Sequence, residues 1–268
     1  MIYNADLDKS FDTKEELIDA LVATKRINIA KRKSAIKEKR CSFAIVSDSS
    51  DTTTKAISLG VGSTIYPVIN TTNFLDSHDD VHGKSIWNKS AKEQSGKTFF
   101  ITDHNLNFEN IISWPQDVEI MLQEMTWKEL GQDLPGSTVA LIFKTEIKDY
   151  ANKAYLSALK SGMPIEHSIR MRYIDVELAV DNPKYEEEHK VWKETIDLVA
   201  NRELAEERGY YYYVKEAAIS QEGSAVLFGS NSATPTLTEI PTKQNIEPSS
   251  DTQKQESSYY FLLQKHKH

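Results

Sequence analysis

Three residues of this sequence carry the groups that a hydroxyl nucleophile requires. His104 follows one apolar run, Ser168 lies within a second, and Glu222 opens a third. Serine ionises too poorly at neutral pH to attack a carbonyl unaided, so a histidine must accept its proton and an acid must hold that histidine in one tautomer. We therefore interpret Ser168 as the candidate nucleophile, His104 as the base and Glu222 as the orienting acid.

The face on which Ser168 lies follows from its place in the run 166–171. Successive side chains of a strand point to opposite faces of the sheet. His167 is therefore a poor base for Ser168, because the two are adjacent. The same alternation puts Ser168 on one face with Arg170 and Arg172, and this positive face would suit a developing oxyanion.

Two other carboxylates are alternatives to Glu222 as the acid. Asp103 directly precedes His104, an arrangement that gives a poor hydrogen-bond angle. Glu216 lies in the same apolar run as Glu222 but farther from the motif. Glu222 is therefore the favoured choice.

The order of these residues resembles that of the prohead proteases of tailed bacteriophages, capsid-maturation serine proteases related in fold to the herpesvirus assemblins. In that family a histidine at the end of a strand precedes a serine in a second strand. An acid then opens a strand of the form E-x-S-x-V-x-x-x-x-N, and Glu222, Ser224, Val226 and Asn231 match that form. The resemblance covers residues 43–237.

Two details near the motifs bear on this resemblance. Thr234-Pro235-Thr236 continues the last motif as members of the family often do. Arg170 stands where many relatives have glycine. This departure concerns the oxyanion site and leaves open a protease fold without activity.

The resemblance implies a serine endopeptidase that cleaves scaffold and major capsid protein within the procapsid. It implies self-cleavage as well, for which the segment after Leu237 is a suitable target. The expected partners are the major capsid protein and the scaffold protein of the same phage; a homodimer, as among the herpesvirus relatives, is left open by the sequence. No cofactor is expected, and the expected location is the host cytoplasm and then the procapsid interior. The alternative is a catalytically inactive scaffolding or structural protein of capsid assembly.

Composition agrees with a soluble globular protein of 268 residues, with 27% charged and 39% apolar residues. The formal net charge of −8 argues against a nucleic-acid or membrane binder. No apolar run reaches the length of a membrane span, and the first residues do not resemble a signal peptide. The single cysteine, Cys41, excludes an internal disulfide.

Three parts are predicted: a helical, basic segment 1–42, a protease-like domain 43–237 and a disordered tail 238–268. Thr13 and Glu16 form a capping box for a helix that runs to about Lys25. Residues 24–40 carry eight basic side chains and one acidic one, which indicates either an anionic partner or a solvated helix face; we favour the second.

The elements that must position the chemistry are short, β-branched runs separated by turn residues, as in an all-β barrel or sandwich. They lie at 42–46, 57–61, 65–69, 98–102, 118–122, 138–143 and 166–171, and residues 210–228 are predicted to form one long strand or a bent pair. Helices are predicted at 149–159 and 183–208. With the resemblance, the expected fold class is α+β, mainly an antiparallel β-barrel of the assemblin type with flanking helices.

Two further segments stand apart from this pattern. Asp76, His78, Asp79, Asp80 and His82 offer metal-ligating groups, but their turn-forming neighbours and spacing form no closed ligand set, and we predict no metal site. Tyr259-Tyr260-Phe261-Leu262-Leu263 is apolar and precedes a basic stretch. It is either a docking motif or an incidental hydrophobic segment.

Overall fold

The computed structural model describes residues 1–36 and 59–240. Within them it has six α-helices: α1 (Lys14–Ala23), α2 (Lys25–Ser34), α3 (Asn88–Gln94), α4 (Lys153–Lys160), α5 (Glu186–Thr195) and α6 (Arg202–Arg208). It has eleven strands: β1 (Ile2–Asn4), β2 (Lys9–Phe11), β3 (Thr64–Thr71), β4 (Asp80–His82), β5 (Phe99–Thr102), β6 (Ile111–Ser113), β7 (Glu119–Thr126), β8 (Ser137–Glu146), β9 (Glu166–Val180), β10 (Tyr210–Val226) and β11 (Thr236–Leu237). None of the described helices has both the length and the apolar character to cross a membrane.

The start of α1 follows directly from the sequence. The hydroxyl of Thr13 accepts from the Glu16 N–H at 3.2 Å, and the Glu16 carboxylate accepts from the Asp12 N–H at 3.1 Å. These bonds satisfy donors that a helix N-terminus otherwise leaves unpaired. Leu17 and Leu21 are buried in the main core, so the predicted Thr13 cap and the apolar face are confirmed. The Glu16 carboxylate bonds the N–H of Asp12 and not that of Thr13, so the reciprocal half of the capping box is displaced by one residue.

The central strand of the larger sheet is β10. On one side β9 pairs with it antiparallel over most of its length. On the other side β4 pairs with its first part and β5 with its last part, both parallel. β6 then extends the sheet beyond β5. β10, which carries Glu222, therefore lies between β9, which carries Ser168, and β5, which leads to His104.

A second sheet of order β11-β3-β8-β7 packs on the inner face of the first. The approach is closest at Gly223, where an added Cβ would lie 2.7 Å from the Phe143 ring and 3.1 Å from Ile69. Only glycine allows this contact without a shift of the neighbours. Phe100 also packs edge-on against Phe143, with ring centroids 6.2 Å apart.

The antiparallel barrel predicted from the sequence is wrong. The fold is α+β, but in residues 1–36 and 59–240 the strands form separate sheets of two, five and four strands, none of which closes. Two strands pair with β10 in parallel, and between them α3 and the residues that lead into it replace a strand neighbour. Ile219 N–H donates to Ser90 Oγ at 2.7 Å, and Ala217 N–H donates to Ile86 O at 3.3 Å.

The single helix predicted over 183–208 is also wrong, because the chain leaves the helix after Thr195. Ala200 N–H donates to Asn73 O at 2.8 Å. The Asn201 side chain bonds both the N–H and the C=O of Leu75, at 2.8 and 2.9 Å. These tertiary bonds replace helical ones and divide the segment into α5, a 3-10 turn and α6. Gly209 ends α6 with a φ of +74°, as predicted.

The other predicted elements have mixed outcomes. Six of the predicted strand runs fall within β3, β5, β7, β8, β9 and β10 or overlap them, so they are confirmed. The helix predicted from 149 begins at Lys153, capped by Asn152. Residues 59–61 are not a strand. The run 42–46, Cys41 and nearly all of the predicted tail lie outside the described residues.

Candidate active site

His104 is held by a tight turn at the end of β5. Asp103 and His104 both have left-handed backbone conformations, with φ of 56° and 54°. Asn105 N–H closes the turn onto Thr102 O at 3.2 Å, and Asp103 N–H donates to Ala225 O at 2.9 Å. Such conformations cost about 1 kcal/mol or more per non-glycine residue and persist where the surroundings enforce them, often at functional sites.

Glu222 is fully buried on β10 and contacts this turn. Its Oε1 lies 2.7 Å from His104 Nδ1. A carboxylate can only accept hydrogen bonds, so it holds the imidazole proton on Nδ1. In the neutral ring Nε2 then carries the lone pair that a general base requires.

Ser224 connects the acid to the turn. Its hydroxyl donates to Glu222 Oε2 at 2.7 Å and accepts from the backbone N–H of His104 at 3.0 Å. The side chain is fully buried. Because both roles of this hydroxyl are occupied by the site itself, Ser224 positions the other two residues. In the sequence Ser224 is identified only as part of the motif. The available signal was its position two residues after Glu222, because residues two apart in a strand project from the same face.

The second ring nitrogen of His104 has a different environment. The His104 side chain is only 5% exposed, and its Nε2 is buried without a hydrogen-bond partner in the described structure. A buried polar atom without a partner is costly and rare in native proteins. Here it is the atom that a base would use.

Ser168 lies beside this pair on the adjacent strand. It is directly opposite Ser224 in the β9–β10 register, so the two side chains project from the same face, with Cβ atoms roughly 5 Å apart. Ser168 is half-buried, whereas Ser224 has no exposed surface. The Ser168 hydroxyl does not hydrogen-bond to His104 Nε2 in this structure. Ser168 and Glu222 therefore lie on one face of the larger sheet, and His104, in the turn after β5, bonds Glu222 directly.

The neighbours of Ser168 follow the predicted alternation. Ile169, Met171 and Tyr173 are buried, whereas Arg170 is half-buried and Arg172 is exposed. Arg170 and Arg172 therefore share the face of Ser168, as the alternation predicted.

His167 lies on the opposite face, as predicted. Its Nδ1 donates to Thr234 O at 2.7 Å, and its Nε2 lies 3.3 Å from the Thr236 hydroxyl. Complete burial lowers the pKa of His167 to about 4, although the bond to Thr234 raises it. A neutral histidine fixed in the core is a structural group.

The two alternative acids have other surroundings than Glu222. Glu216 is 40% exposed at its side chain and faces Lys89 at 3.9 Å. Asp103 is exposed in the turn before His104. The carboxylate that meets the imidazole is Glu222.

The acid and histidine residues at 76–82 belong to a buried network at the other end of β10. Asp80 pairs with Arg32 and accepts from Tyr173 at 2.6 Å. Arg32 also pairs with Asp6, which was not anticipated from the basic segment. Within the described parts of the chain, no three His, Cys, Asp or Glu side chains are arranged to hold a metal ion.

Comparison of this chain with protein-family models, with curated proteins and with solved structures gives no match.

Proposed function

We propose that this chain is a serine endopeptidase in which Ser168 is the nucleophile, His104 the base and Glu222 the orienting acid. The observation that carries the proposal is the buried Glu222–His104 bond of 2.7 Å, combined with a second ring nitrogen that has no partner. The acid fixes the proton on Nδ1 and leaves Nε2 available beside Ser168.

In the proposed reaction His104 Nε2 removes the proton of Ser168 Oγ, and Oγ attacks a peptide carbonyl carbon. The oxyanion that forms requires donors, for which backbone N–H groups, Arg170 and Arg172 are candidates. The imidazolium then gives its proton to the leaving amine nitrogen, the C–N bond breaks, and an acyl-Ser168 remains. Water, deprotonated by His104, hydrolyses that ester and restores Ser168.

One local change completes this geometry. The proposed reaction requires Ser168 Oγ to come within hydrogen-bond distance of His104 Nε2, and hydrogen bonds at catalytic sites are often long before substrate binds. Ser224 and the left-handed turn hold His104 in place meanwhile. The reaction as proposed uses only groups of the protein and water, and no cofactor.

As substrates we propose the scaffold and the major capsid protein of a tailed phage, cleaved within the procapsid, with self-cleavage after Leu237. Support comes from the order His104, Ser168, Glu222 and from the motif that continues to Asn231, both of which resemble the prohead proteases. Asn231 is buried and bonds Thr71 through its side chain at 2.8 Å. The motif residue therefore anchors the segment that follows the proposed catalytic strand.

A fluorophosphonate probe tests the activity directly, because it reacts only with an activated serine. We expect labelling of the native chain at Ser168 and complete loss in Ser168→Ala with an unchanged melting temperature. Ser220→Ala, at a half-buried serine of the same β10 strand, is the matched control and should label normally. Absence of labelling in the native chain would instead favour the inactive scaffolding protein.

Co-expression with the scaffold and major capsid proteins tests the substrates. Mass spectrometry should find both proteins shortened with the native chain and intact with Ser168→Ala. Cleavage that persists with Ser168→Ala would contradict the assignment of the nucleophile.

A further inference from the structure

An exposed group of aromatic rings lies on the same sheet face as the Glu222–His104 pair. We define this aromatic patch as Phe99, Phe108, Trp114 and Tyr150. Phe99 is the register partner of Glu222, and its ring is 5.7 Å from that of Trp114. The rings of Phe108 and Tyr150 also pack against Trp114, with ring centroids 6.1 and 6.3 Å from that of Trp114.

Two rings of this patch are exposed and two are half-buried. Phe108 is 86% exposed and Tyr150 is 40% exposed, whereas Phe99 and Trp114 are half-buried. Leu106, two residues before Phe108, is 43% exposed. A contiguous exposed apolar surface of this kind commonly marks an interaction site. Aromatic side chains bring large area and few rotamers to such a contact.

The rim of the patch is acidic. Glu109 follows Phe108 directly and is exposed. The carboxylate of Asp117 accepts from the Tyr150 hydroxyl at 2.7 Å, and the exposed Asp149 precedes Tyr150. An occupant of this surface should therefore combine an aromatic or aliphatic run with adjacent positive charge.

One segment of this chain has that composition. Residues 259–263 read Tyr-Tyr-Phe-Leu-Leu, and residues 264–268 read Gln-Lys-His-Lys-His. The apolar run matches the rings, and Lys265 and Lys267 match the acidic rim. We propose that residues 259–263 dock in cis on the aromatic patch, with Lys265 and Lys267 placed against its acidic rim.

The length of the intervening chain permits this docking. Eighteen residues, 241–258, separate Ile240 from Tyr259. A chain of that length has a root-mean-square reach of roughly 25 Å if flexible, comparable with the dimensions of a domain of this size. A short tether gives an effective concentration of about 1 mM, so even a weak contact is occupied in cis and not between molecules.

Docking depends only on the patch and the segment, and not on the proposed catalytic groups. Crosslinking tests the docking and the serine probe tests the protease proposal, so the failure of either proposal can be told from the failure of the other. Crosslinking is performed in the Ser168→Ala chain so that the segment stays attached.

A photo-crosslinking residue, p-benzoylphenylalanine, replaces Phe261 in the full-length chain, and peptide mass spectrometry maps its products. We expect intramolecular crosslinks to the peptides that contain Phe108, Trp114 or Tyr150, with a yield independent of protein concentration. The same residue placed at Gln253 is the control and should give no enrichment for those peptides. Crosslinks between two chains, or to other surfaces, would overturn docking in cis.

Substitutions on the patch provide the second test. Phe108→Asp should lower the Phe261 crosslink yield about five- to thirty-fold, the ratio expected for loss of one anchoring aromatic side chain. Leu198→Asp, at another exposed apolar side chain (49% exposed), should leave the yield unchanged. Lys265→Glu combined with Lys267→Glu should lower it roughly two- to five-fold, an effect that high salt reproduces. An unchanged yield in Phe108→Asp would refute the assignment of the surface.

Discussion

The two ends of β10 each bury charged side chains, but they use them differently. At the first end Arg32 pairs with Asp80 and Asp6, and its guanidinium lies 3.7 Å from the centre of the Tyr212 ring. At the other end Glu222 meets His104, whose second nitrogen is buried without a partner. The first end fixes a permanent charge, whereas the second holds a ring that can take up and release a proton.

The physical contrast lies in which group can lose its proton. Burial alone would lower the pKa of Arg32, but the carboxylates of Asp80 and Asp6 raise it above its ordinary value. Arg32 is therefore always charged and serves to hold α2 against β10. An imidazole nitrogen with a free lone pair can accept a proton, so the same strand provides a structural ion pair at one end and a candidate proton acceptor at the other.

The largest expected effect is on chemistry at the Glu222 end. Glu222→Gln keeps the shape of the side chain but presents an amide N–H to the ring, which favours the tautomer with the proton on Nε2. We expect the rate of fluorophosphonate labelling at pH 7 to fall by about 10⁴-fold, as for comparable acids of serine triads.

The control for this substitution is Glu216→Gln on the same strand, at a side chain that is 40% exposed. It should label at the native rate. Equal losses in Glu222→Gln and Glu216→Gln, or no loss in Glu222→Gln, would show that the buried acid does not orient the histidine.

The next effect is on stability at the Arg32 end. Arg32→Met leaves the Asp80 carboxylate buried without its cationic partner, and removal of one member of a buried ion pair costs about 3–5 kcal/mol. Urea unfolding measures this loss. Lys31→Met, at the exposed neighbour in α2, should change the unfolding free energy by less than about 0.5 kcal/mol.

The labelling rate of the same variant shows whether the ion pair at the first end of β10 affects the His104 site at the other end. Under conditions where Arg32→Met stays folded, its labelling rate should equal the native rate, because Arg32 is not part of the His104 site. A labelling rate that falls in parallel with stability would mean that the two ends of β10 are coupled.

The sequence predicted local features well where the feature depends only on residues that are close together in the chain. The cap at Thr13, the left-handed Gly209 and the alternation of His167 with Ser168 depend on neighbours in the chain, and the structure has all three. The sequence did not identify Arg32 as a buried, paired residue. Nothing in the basic helix distinguishes it from the other lysines and arginines, and its role depends on its pairing with Asp80 and Asp6 in the fold.

The architecture was harder to predict because it depends on partners far apart in the chain. Short β-branched runs do not specify whether they pair in parallel, and β4 and β5 do so with β10. The break after Thr195 likewise depends on bonds to Asn73 and Leu75. For the site, the sequence indicated the residue types, whereas the hydroxyl of Ser224 became visible only in the hydrogen-bond geometry.

The third expected effect is a dependence of the unfolding free energy on pH that arises from His167 in the core. The pKa of His167 is lowered to about 4 by burial, against 6.5 for an ordinary histidine. The unfolded chain therefore binds more protons between those values, and His167 destabilises the fold progressively as pH falls from about 6.5 to 4. The full loss is roughly 3 kcal/mol.

His167→Asn removes this titration and keeps a donor for Thr234. The difference in unfolding free energy between the native chain and the variant should shift by roughly 3 kcal/mol between pH 7 and pH 4, with the native chain losing more. Urea unfolding at several pH values measures it. Parallel pH profiles for the two proteins would show that His167 does not remain neutral in the folded state.

The smallest expected effect distinguishes a positioning hydroxyl from a nucleophile. Ser224→Ala removes the bond to Glu222 Oε2 and the acceptor of the His104 N–H. A hydrogen bond to a charged group is worth about 1.5–3 kcal/mol, so the inactivation rate constant of the serine probe should fall about 10- to 100-fold. This loss is smaller than that of Glu222→Gln because the acid and base remain in contact.

The kinetic form of that loss identifies the role of Ser224. Because the hydroxyl acts through Glu222 and His104, the inactivation rate constant should fall while the probe concentration for half-maximal inactivation stays unchanged. Ser220→Ala on the same strand should alter neither. If Ser224→Ala abolished labelling while Ser168→Ala preserved it, Ser224 would be the nucleophile, and the two serines that face each other across β9 and β10 would exchange their assigned roles.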